Sequence, residues 1–330
     1  MKRNANNYQT RFLLIISLVL IITWGCGKEE EEIPSTYTLS ISVSPEGTGT
    51  VNGAGTYKSG YIINISATPN EGYDFLNWTQ EDVVVGTDPD FDFNMPAEDV
   101  TLAANFMIED GTQGNVTDID GNVYNTVFIG EAEWMAENLK TSRYNDGKVI
   151  PNITVFEDWS NLSSGAYAWF DNDQDYGDAY GALYNWYAVE TGNLCPDGWR
   201  VPTDEDWSEL SDHLVEKYDD IDVMNVGKIL KSCRQVDSPM GGDCNTSEHP
   251  RWNEVQGYYG TDDFGFSALP GGRRGSIGTF SDIGRHSNWW SASEHSDTHA
   301  TNRRIILNND QLLSYDTDKN VGFSVRCIRE

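Results

Sequence analysis

The sequence predicts an α+β protein built from a small β-sheet module and a larger mixed domain. Apolar and polar residues alternate over residues 37–43, 61–67 and 100–106, and glycine-rich turns separate these runs. This is the pattern of half-buried strands joined by hairpins. Farther along, Thr203 and Asp206 form a capping-box-like helix start. With 330 residues, 12% of them aromatic, the chain is long enough for two folded cores.

The N-terminal residues 1–25 have the features of a secretory signal peptide. Three basic residues precede an apolar run over residues 12–22, and Gly25 and Cys26 follow closely. A signal peptide has an apolar region of about 7–15 residues, whereas a membrane-spanning helix needs about 20. The run therefore favours export, with an uncleaved anchor helix as the alternative.

The segment around Cys26 resembles a bacterial lipoprotein signal, in which this cysteine is acylated, as with palmitate, and becomes the mature N-terminus. Lys28 and the acidic residues 29–32 follow it, and they resemble the acidic export tag of surface lipoproteins in the Bacteroidetes. A solvated charge run in a flexible tether is the alternative interpretation. We expect a lipid-anchored outer-membrane protein that is exposed on the cell surface, with residues 26–36 as an acidic tether.

The charge balance excludes one large class of partners. The chain has 52 acidic and 22 basic residues and a net charge of −30 at pH 7. Such a surface repels the phosphate backbone, so nucleic-acid binding is excluded. The expected partners are an extracellular glycan or protein, and the membrane through the N-terminal lipid.

Four cysteines follow Cys26, and an even number in an exported chain predicts two disulfides. Three pairings are open from the sequence. We favour Cys233 with Cys244, which closes a short loop containing glycine and proline, and Cys195 with Cys327. Residues 323–327 alternate as a strand, which puts Cys327 on a buried face where its sulfur has a structural role.

Residues 37–107 contain, in this order, the motifs GTGTVNGAGTYKSG, ATPNEGYDFLNW and FNMPAEDVTLAANF. With these motifs the segment resembles the Listeria–Bacteroides repeat family, the B-repeat type of bacterial surface proteins. It implies a β-grasp-like spacer or adhesion module that carries no chemistry. We expect Trp78 to anchor the core of its sheet, with a ligand platform as the alternative. Residues 108–115 form a predicted linker.

Residues 116–330 contain five motifs in the order GALYNWYA, CPDGWRVPTDEDW, GFSALPGG, WWSAS and GFSVRC. With this ordered set the segment resembles the Fibrobacter succinogenes major paralogous domain. VPTDEDW and the terminal GFSVR also resemble, more distantly, the formylglycine-generating-enzyme/sulfatase-modifying superfamily. That relation implies a C-type-lectin-like α+β fold.

The residues do not carry over the reaction of these enzymes. The formylglycine-generating relatives use a pair of reactive cysteines on a metal, whereas Cys327 has no second cysteine near it in sequence. We therefore expect no enzymatic activity and a non-catalytic binding or adhesion role. An enzyme with a divergent sulfatase-modifying-like active site is one alternative, and a purely structural envelope protein is another.

One acidic loop is a candidate calcium site, the one cofactor considered. Asp171, Asp173, Asp175 and Asp178 place oxygen ligands close together in a tight turn. Calcium takes about 6–8 oxygen ligands, which a single loop rarely supplies in full. A solvated acidic turn is the alternative interpretation.

A second set of residues forms the predicted ligand face. These residues lie in loops rich in glycine and polar residues, and lectin-like folds gather variable loops at one end. Aromatic rings stack on sugars, and arginines in an acidic chain face either an anionic partner or an internal carboxylate. The predicted residues are Trp252, Tyr258, Tyr259, Arg273, Arg274 and Trp289.

Overall fold

The computed structural model describes residues 35–329, and its N-terminal module consists of strands alone. Alternating side chains and glycine turns produce eight short strands within about seventy residues. The strands are β1 (Thr36–Ser44), β2 (Gly49–Asn52), β3 (Gly55–Lys58), β4 (Ile62–Pro69), β5 (Tyr73–Gln80), β6 (Val83–Gly86), β7 (Asp90–Asn94) and β8 (Val100–Ile108).

Two sheets enclose the core of this module. One has the order β3-β1-β8-β5-β6 and the other has the order β2-β4-β7. The pairing of β1 with β8 is parallel, whereas the remaining pairs are antiparallel. Trp78 is fully buried and donates its indole N–H to the carbonyl of Asp88 at 2.9 Å. The prediction that this ring anchors the core is confirmed.

The C-terminal domain, residues 113–329, contains short strands and mostly short helices. The strands are β9 (Gln113–Thr117), β10 (Val123–Ile129), β11 (Ala132–Met135), β12 (Tyr167–Ala168), β13 (Leu183–Tyr184), β14 (Trp199–Arg200), β15 (Gly271–Arg274), β16 (Phe280–Ile283), β17 (His286–Glu294), β18 (His299–Ile306), β19 (Leu313–Asp318) and β20 (Ile328–Arg329). The helices are α1 (Phe156–Ser160), α2 (Gln174–Tyr180), α3 (Trp186–Val189), α4 (Asp204–Lys217) and α5 (Val226–Leu230), with 3₁₀ turns at Phe170–Asn172 and Gly242–Cys244.

The strands of this domain form several small sheets. Five strands are ordered β14-β20-β11-β10-β9, three are ordered β17-β18-β19, and β12–β13 and β15–β16 are pairs. Two large apolar clusters fill the space between the sheets and helices. Among the described residues, no helix has both the length and the apolar character needed to cross a bilayer.

The predicted fold class is wrong. Of the residues that the structure describes, 40% lie in strands and 14% in helices, and the strands form several small sheets, which is not a clear α+β C-type-lectin-like or formylglycine-generating-enzyme-like fold. Within the described residues, the N-terminal module has no helix at all, so it is not β-grasp-like. In the C-terminal domain, α4 is the one helix longer than seven residues that the structure describes. The protein is mostly β because its strands pair locally into several small sheets.

Helix α4 begins as the sequence predicts. The side chain of Thr203 accepts from the backbone N–H of Asp206, and the Asp206 carboxylate accepts in return from the backbone N–H of Thr203. These two hydrogen bonds satisfy amide groups that a helix start leaves without partners. The predicted helix start is confirmed, and Trp207, Leu210 and Leu214 form the buried apolar face of the helix.

The strand expected at residues 323–327 is not formed. This segment is buried on both of its sides, because it runs through the centre of the domain. Single bridges join Phe323 to Tyr184 and Ser324 to Trp289. The strand itself begins only at Ile328.

Both predicted disulfides are present. Cys195 pairs with Cys327 over a sequence separation of 132 residues, and Cys233 pairs with Cys244 over 11 residues. The Cys195 and Cys327 side chains lie in one of the two large apolar clusters. The long bridge therefore ties the middle of the domain to its last residues through the core.

Candidate functional site

Part of the predicted site falls beyond the structure. Cys26, the predicted lipidation site, and the acidic residues 29–32 lie outside the described residues 35–329. The lipid anchor and the surface export tag therefore stay predictions.

The acidic loop does not gather its carboxylates around one point. The Asp173 side chain caps α2 by accepting from the backbone N–H of Asp175 at 3.0 Å, and the Asp178 carboxylate accepts from Gln174 at 3.1 Å. Asp171, Asp173, Asp175 and Asp178 are all exposed. Within residues 35–329, no group of three or more His, Cys, Asp or Glu side chains is arranged to hold a metal ion. The structure thus uses this loop as a solvated helix start.

Two of the predicted ligand-binding tryptophans are core residues. Trp289 is fully buried, stacks on Trp207 with ring centroids 5.6 Å apart, and donates its indole N–H to Asn138 at 2.8 Å. Trp252 is 1% exposed and donates to the carbonyl of Ala268 at 3.1 Å. Neither ring has a face free for a ligand. The prediction that Trp252 and Trp289 belong to the ligand face is therefore wrong, because both rings are buried in the apolar core.

Arg274 is also an internal residue. It is fully buried, and its guanidinium donates to the carbonyls of Ile153, Val155 and Gly278. It also lies 4.2 Å from the ring centroid of Trp159. All of its donors point into the protein, so the prediction of a ligand contact at Arg274 is corrected as well.

The two predicted tyrosines remain at the surface. Tyr258 is 39% exposed. Tyr259 is half-buried, and the ammonium group of Lys228 lies 4.9 Å from its ring centroid. These residues stay candidates for ligand contacts.

Arg273 lies in a cluster of cationic side chains that the sequence did not reveal. The cluster, called here the cationic face, also contains Arg285, His286 and Arg304. One carboxylate, Asp282, pairs with it: Arg273 Nε donates to Asp282 Oδ2 at 2.9 Å, and His286 Nδ1 lies 3.6 Å from the same oxygen.

Hydrogen bonds fix Arg304 in this face. Its Nε donates to Asn288 Oδ1 at 2.6 Å, and Asn288 donates in turn to the carbonyl of Gly272 at 3.0 Å. The guanidinium also lies 4.6 Å from the ring centroid of Tyr315 on β19, and this ring is 41% exposed. The strand pair β15–β16 and the sheet β17-β18-β19 therefore meet at the cationic face.

The electrostatics of the face show how close the cations are. Burial lowers the pKa of His286; the Asp282 carboxylate raises it, and the nearby charges of Arg304, Arg273 and Arg285 lower it further. Burial likewise lowers the pKa of Arg304, with a further contribution from Arg273. The positive charges of the face therefore disfavour one another, and the negative charge of Asp282 offsets this repulsion only in part.

The sequence signal for Arg304 was present in the tandem Arg303-Arg304. Successive side chains of a strand point to opposite faces. Arg303 binds Asp204 of α4 at 2.6 Å, whereas Arg304 reaches the cationic face. The alternation predicts that one of the two arginines faces inward. The sequence alone does not show which one, because this depends on the elements that pack against β18.

A second polar cluster connects the two parts of the chain, and it is called here the joint. The side chain of Asp110, which follows β8, is fully buried. It accepts from the backbone N–H of Gly130 at 2.7 Å, from Lys217 at 2.9 Å and from Tyr218 at 2.8 Å, and it pairs with His213 at 2.8 Å. Every one of these groups is engaged in holding the chain after β8 against β10 and α4.

Comparisons with known proteins agree with both resemblances. The family described as Fibrobacter succinogenes major domain matches residues 127–329, more than half of the chain. The family described as divergent InlB B-repeat domain matches residues 39–110. Both predicted resemblances, and their order along the chain, are confirmed. No curated protein and no solved structure matches the chain.

Proposed function

This chain belongs to the Fibrobacter succinogenes major domain family, and from that premise we propose that it is a cell-surface lipoprotein whose C-terminal domain binds an extracellular ligand without catalysis. The combination of this domain with a divergent B-repeat indicates a surface-associated protein. The ligand in the proposal is a glycan or a protein outside the cell.

The cationic face is the observation that carries the proposal. In a chain with a net charge of −30, a basic residue usually has several acidic neighbours to pair with. Among the described residues, three arginines lie close enough to His286 to lower its pKa, and Asp282 is the carboxylate that pairs with Arg273 and His286. A surface of this kind leaves positive charge that an incoming anionic group can use.

The joint supports a presenting role for the N-terminal module. Lys217 of α4 bridges Asp110 at 2.9 Å and Asp74 of β5 at 2.6 Å, so its ammonium group contacts both parts of the chain. A module held in this way acts as a rigid spacer between the anchor and the binding domain.

The four cysteines of the described residues are paired in disulfides. The thiolate–metal oxidation that formylglycine-generating enzymes perform needs free cysteines. This pairing supports a binding role in preference to that reaction.

The binding role is tested with the purified mature protein in a screen against glycans and surface extracts. We expect specific binding that Arg304→Ala weakens while the melting temperature stays unchanged. Lys148→Ala is the matched control, because Lys148 is 79% exposed and lies outside the cationic face. Turnover of a sulfatase peptide or of a glycan by the wild type would contradict the non-catalytic proposal.

The anchor is tested separately in cells. Cys26→Ser is expected to release the protein from the membrane fraction, because stable attachment depends on the lipid chains. Replacing Glu29, Glu30, Glu31 and Glu32 with alanine is expected to keep the protein lipidated but to reduce its access to protease on intact cells. Unchanged sedimentation of the Cys26→Ser variant would contradict the anchor.

A further inference from the structure

Arg273 and Arg304 of the cationic face have N–H groups that make no hydrogen bond within the described residues. Arg273 uses Nε for Asp282 and Ser281, and Arg304 uses Nε for Asn288. Within the described residues, neither guanidinium has a partner for its two terminal nitrogens. These paired N–H groups form the planar fork that matches the oxygens of a carboxylate or a sulfate.

The fork of Arg304 is also held in place before any ligand arrives. Asn288 is 1% exposed, and it connects Arg304 to the backbone at Gly272. A donor fixed by a buried amide loses little conformational freedom on binding. The cationic face is therefore preorganised around Arg304.

Tyr315 adds a flat apolar surface next to these donors. Its ring is 41% exposed, with the guanidinium of Arg304 over it. A pyranose ring is apolar on its faces and stacks on aromatic side chains, while its acidic substituent lies at the edge of the ring. A ring next to a guanidinium fork suits both parts of an acidic sugar, whereas an acidic polypeptide such as polyglutamate has no ring to stack on it.

We infer that the cationic face binds an anionic polysaccharide through its sulfate or carboxylate groups, with Arg304 and Arg273 on the anion and Tyr315 against the sugar ring. This inference rests on the proposed function, because it names the ligand class of that same face. Asp282 acts as the internal counter-ion that holds Arg273 until the ligand anion arrives.

Isothermal titration calorimetry on the mature protein tests the ligand class with four defined polymers. Dextran sulfate and polygalacturonate carry the two anionic groups on sugars, dextran is the neutral sugar, and polyglutamate is the acidic polypeptide. We expect binding to one or both anionic polysaccharides and none to dextran. The preference between dextran sulfate and polygalacturonate identifies the anionic group. Polyglutamate binding as tight as that of the polysaccharides would overturn the inference.

Substitutions test the residues. Arg304→Gln and Arg273→Gln are each expected to weaken binding at least about tenfold, as for a charged hydrogen-bonding group. Lys148→Gln removes the same charge outside the face and is expected to leave affinity unchanged. An equal loss in Lys148→Gln and Arg304→Gln would show that net charge alone governs binding, and would overturn the inference.

Tyr315→Ala separates the sugar contact from the anion contact. It is expected to weaken polysaccharide binding about two- to tenfold and to leave the affinity for inorganic sulfate unchanged. Unchanged polysaccharide affinity would overturn the stacking role. If surface extracts bind but no anionic polysaccharide does, the ligand class is wrong and the proposed function stands. If nothing binds, both fail.

Discussion

Arg326 shows how a single charged residue organises the interior of the C-terminal domain. It is fully buried, and its guanidinium donates to the carbonyls of Phe266 and Ser267 and to the side chain of Asn138. It also lies 4.3 Å from the ring centroid of Phe266. Burial lowers the pKa of Arg326, and carbonyl oxygens compensate the buried charge. An arginine in this acidic chain is therefore as readily structural as functional.

Arg273 and Arg274 illustrate the same choice between neighbours. Both lie on β15, but Arg274 is fully buried and bound to carbonyls, whereas Arg273 is half-exposed on the cationic face. Adjacent positions on a strand face opposite ways. The sequence predicted ligand contacts at both arginines, but the alternation of the strand leaves only Arg273 accessible to a ligand.

His286 predicts a pH dependence of stability. Its pKa in the folded protein lies below the ordinary value of 6.5, because of burial and the charges of Arg304, Arg273 and Arg285, which Asp282 opposes only in part. The unfolded chain therefore binds more protons just below pH 6.5. The contribution of His286 to stability is complete above that pH and is lost as the pH falls below it.

The measurement is the free energy of unfolding between pH 7.5 and pH 5 in denaturant. We expect His286→Gln to flatten the decline seen in the wild type. His299→Gln changes an exposed histidine and serves as the control. A decline of equal slope in wild type and His286→Gln would contradict this role.

At the scale of elements, α4 packs against the aromatic core of the C-terminal domain through Trp207. Trp207 of α4 lies between Trp134, at a centroid distance of 4.7 Å, and Trp289, at 5.6 Å. The same helix binds β18 through Asp204 and Arg303. The capped start of the helix thus fixes both an aromatic core and an ion pair.

Trp289→Ala is expected to unfold the domain in the same way as Trp207→Ala. Both rings are fully buried, and truncating a core tryptophan costs about 3–5 kcal/mol of stability. Denaturant unfolding followed by circular dichroism measures both variants. Tyr258→Ala, at an exposed ring, is expected to change stability little. A Trp289→Ala variant with unchanged stability would show that the ring is not part of the core.

Elements with a clear period could be predicted from the sequence. The alternation in β1, β4 and β8 and the capped stripe of α4 follow directly from residue order, because one face of each is buried. Residues 323–327 alternate as well but form only single bridges, because the segment at residues 321–328 is buried on every side.

The candidate site was less predictable than these elements. The motifs located Arg273, but Arg304 and Tyr315 reach it from β18 and β19. Their positions depend on which strands pair and which way each side chain faces. Trp252 and Trp289 were misplaced for a related reason: a tryptophan among polar neighbours gave no indication that other elements would cover it.

At the scale of the whole molecule, the joint connects the N-terminal module to the C-terminal domain through the carboxylate of Asp110. Burial raises the pKa of Asp110, but hydrogen bonds from His213, Lys217, Gly130 and Tyr218 outweigh this and hold the pKa well below its ordinary value. Burial lowers the pKa of Lys217, but the hydrogen bonds to Asp74 and Asp110 outweigh this and raise it. Burial and the hydrogen bond to Asp110 raise the pKa of Tyr218 to about 12. The carboxylate therefore stays ionised, and the joint stays intact, well into the acidic range.

Asp110→Ala is expected to free the N-terminal module from the C-terminal domain. The substitution leaves the partly exposed donors of Lys217 and Tyr218 without their common acceptor, a loss of about 1.5–3 kcal/mol for hydrogen bonds to a charged group. Small-angle scattering should then report a larger radius of gyration, and protease should cut within residues 109–112, between β8 and β9. Asp74→Ala is the matched control, because Asp74 shares Lys217 but is 36% exposed, and exposed pairs contribute about 0–1 kcal/mol. Scattering curves that coincide for the wild type and Asp110→Ala would mean that the spacer is held by other contacts.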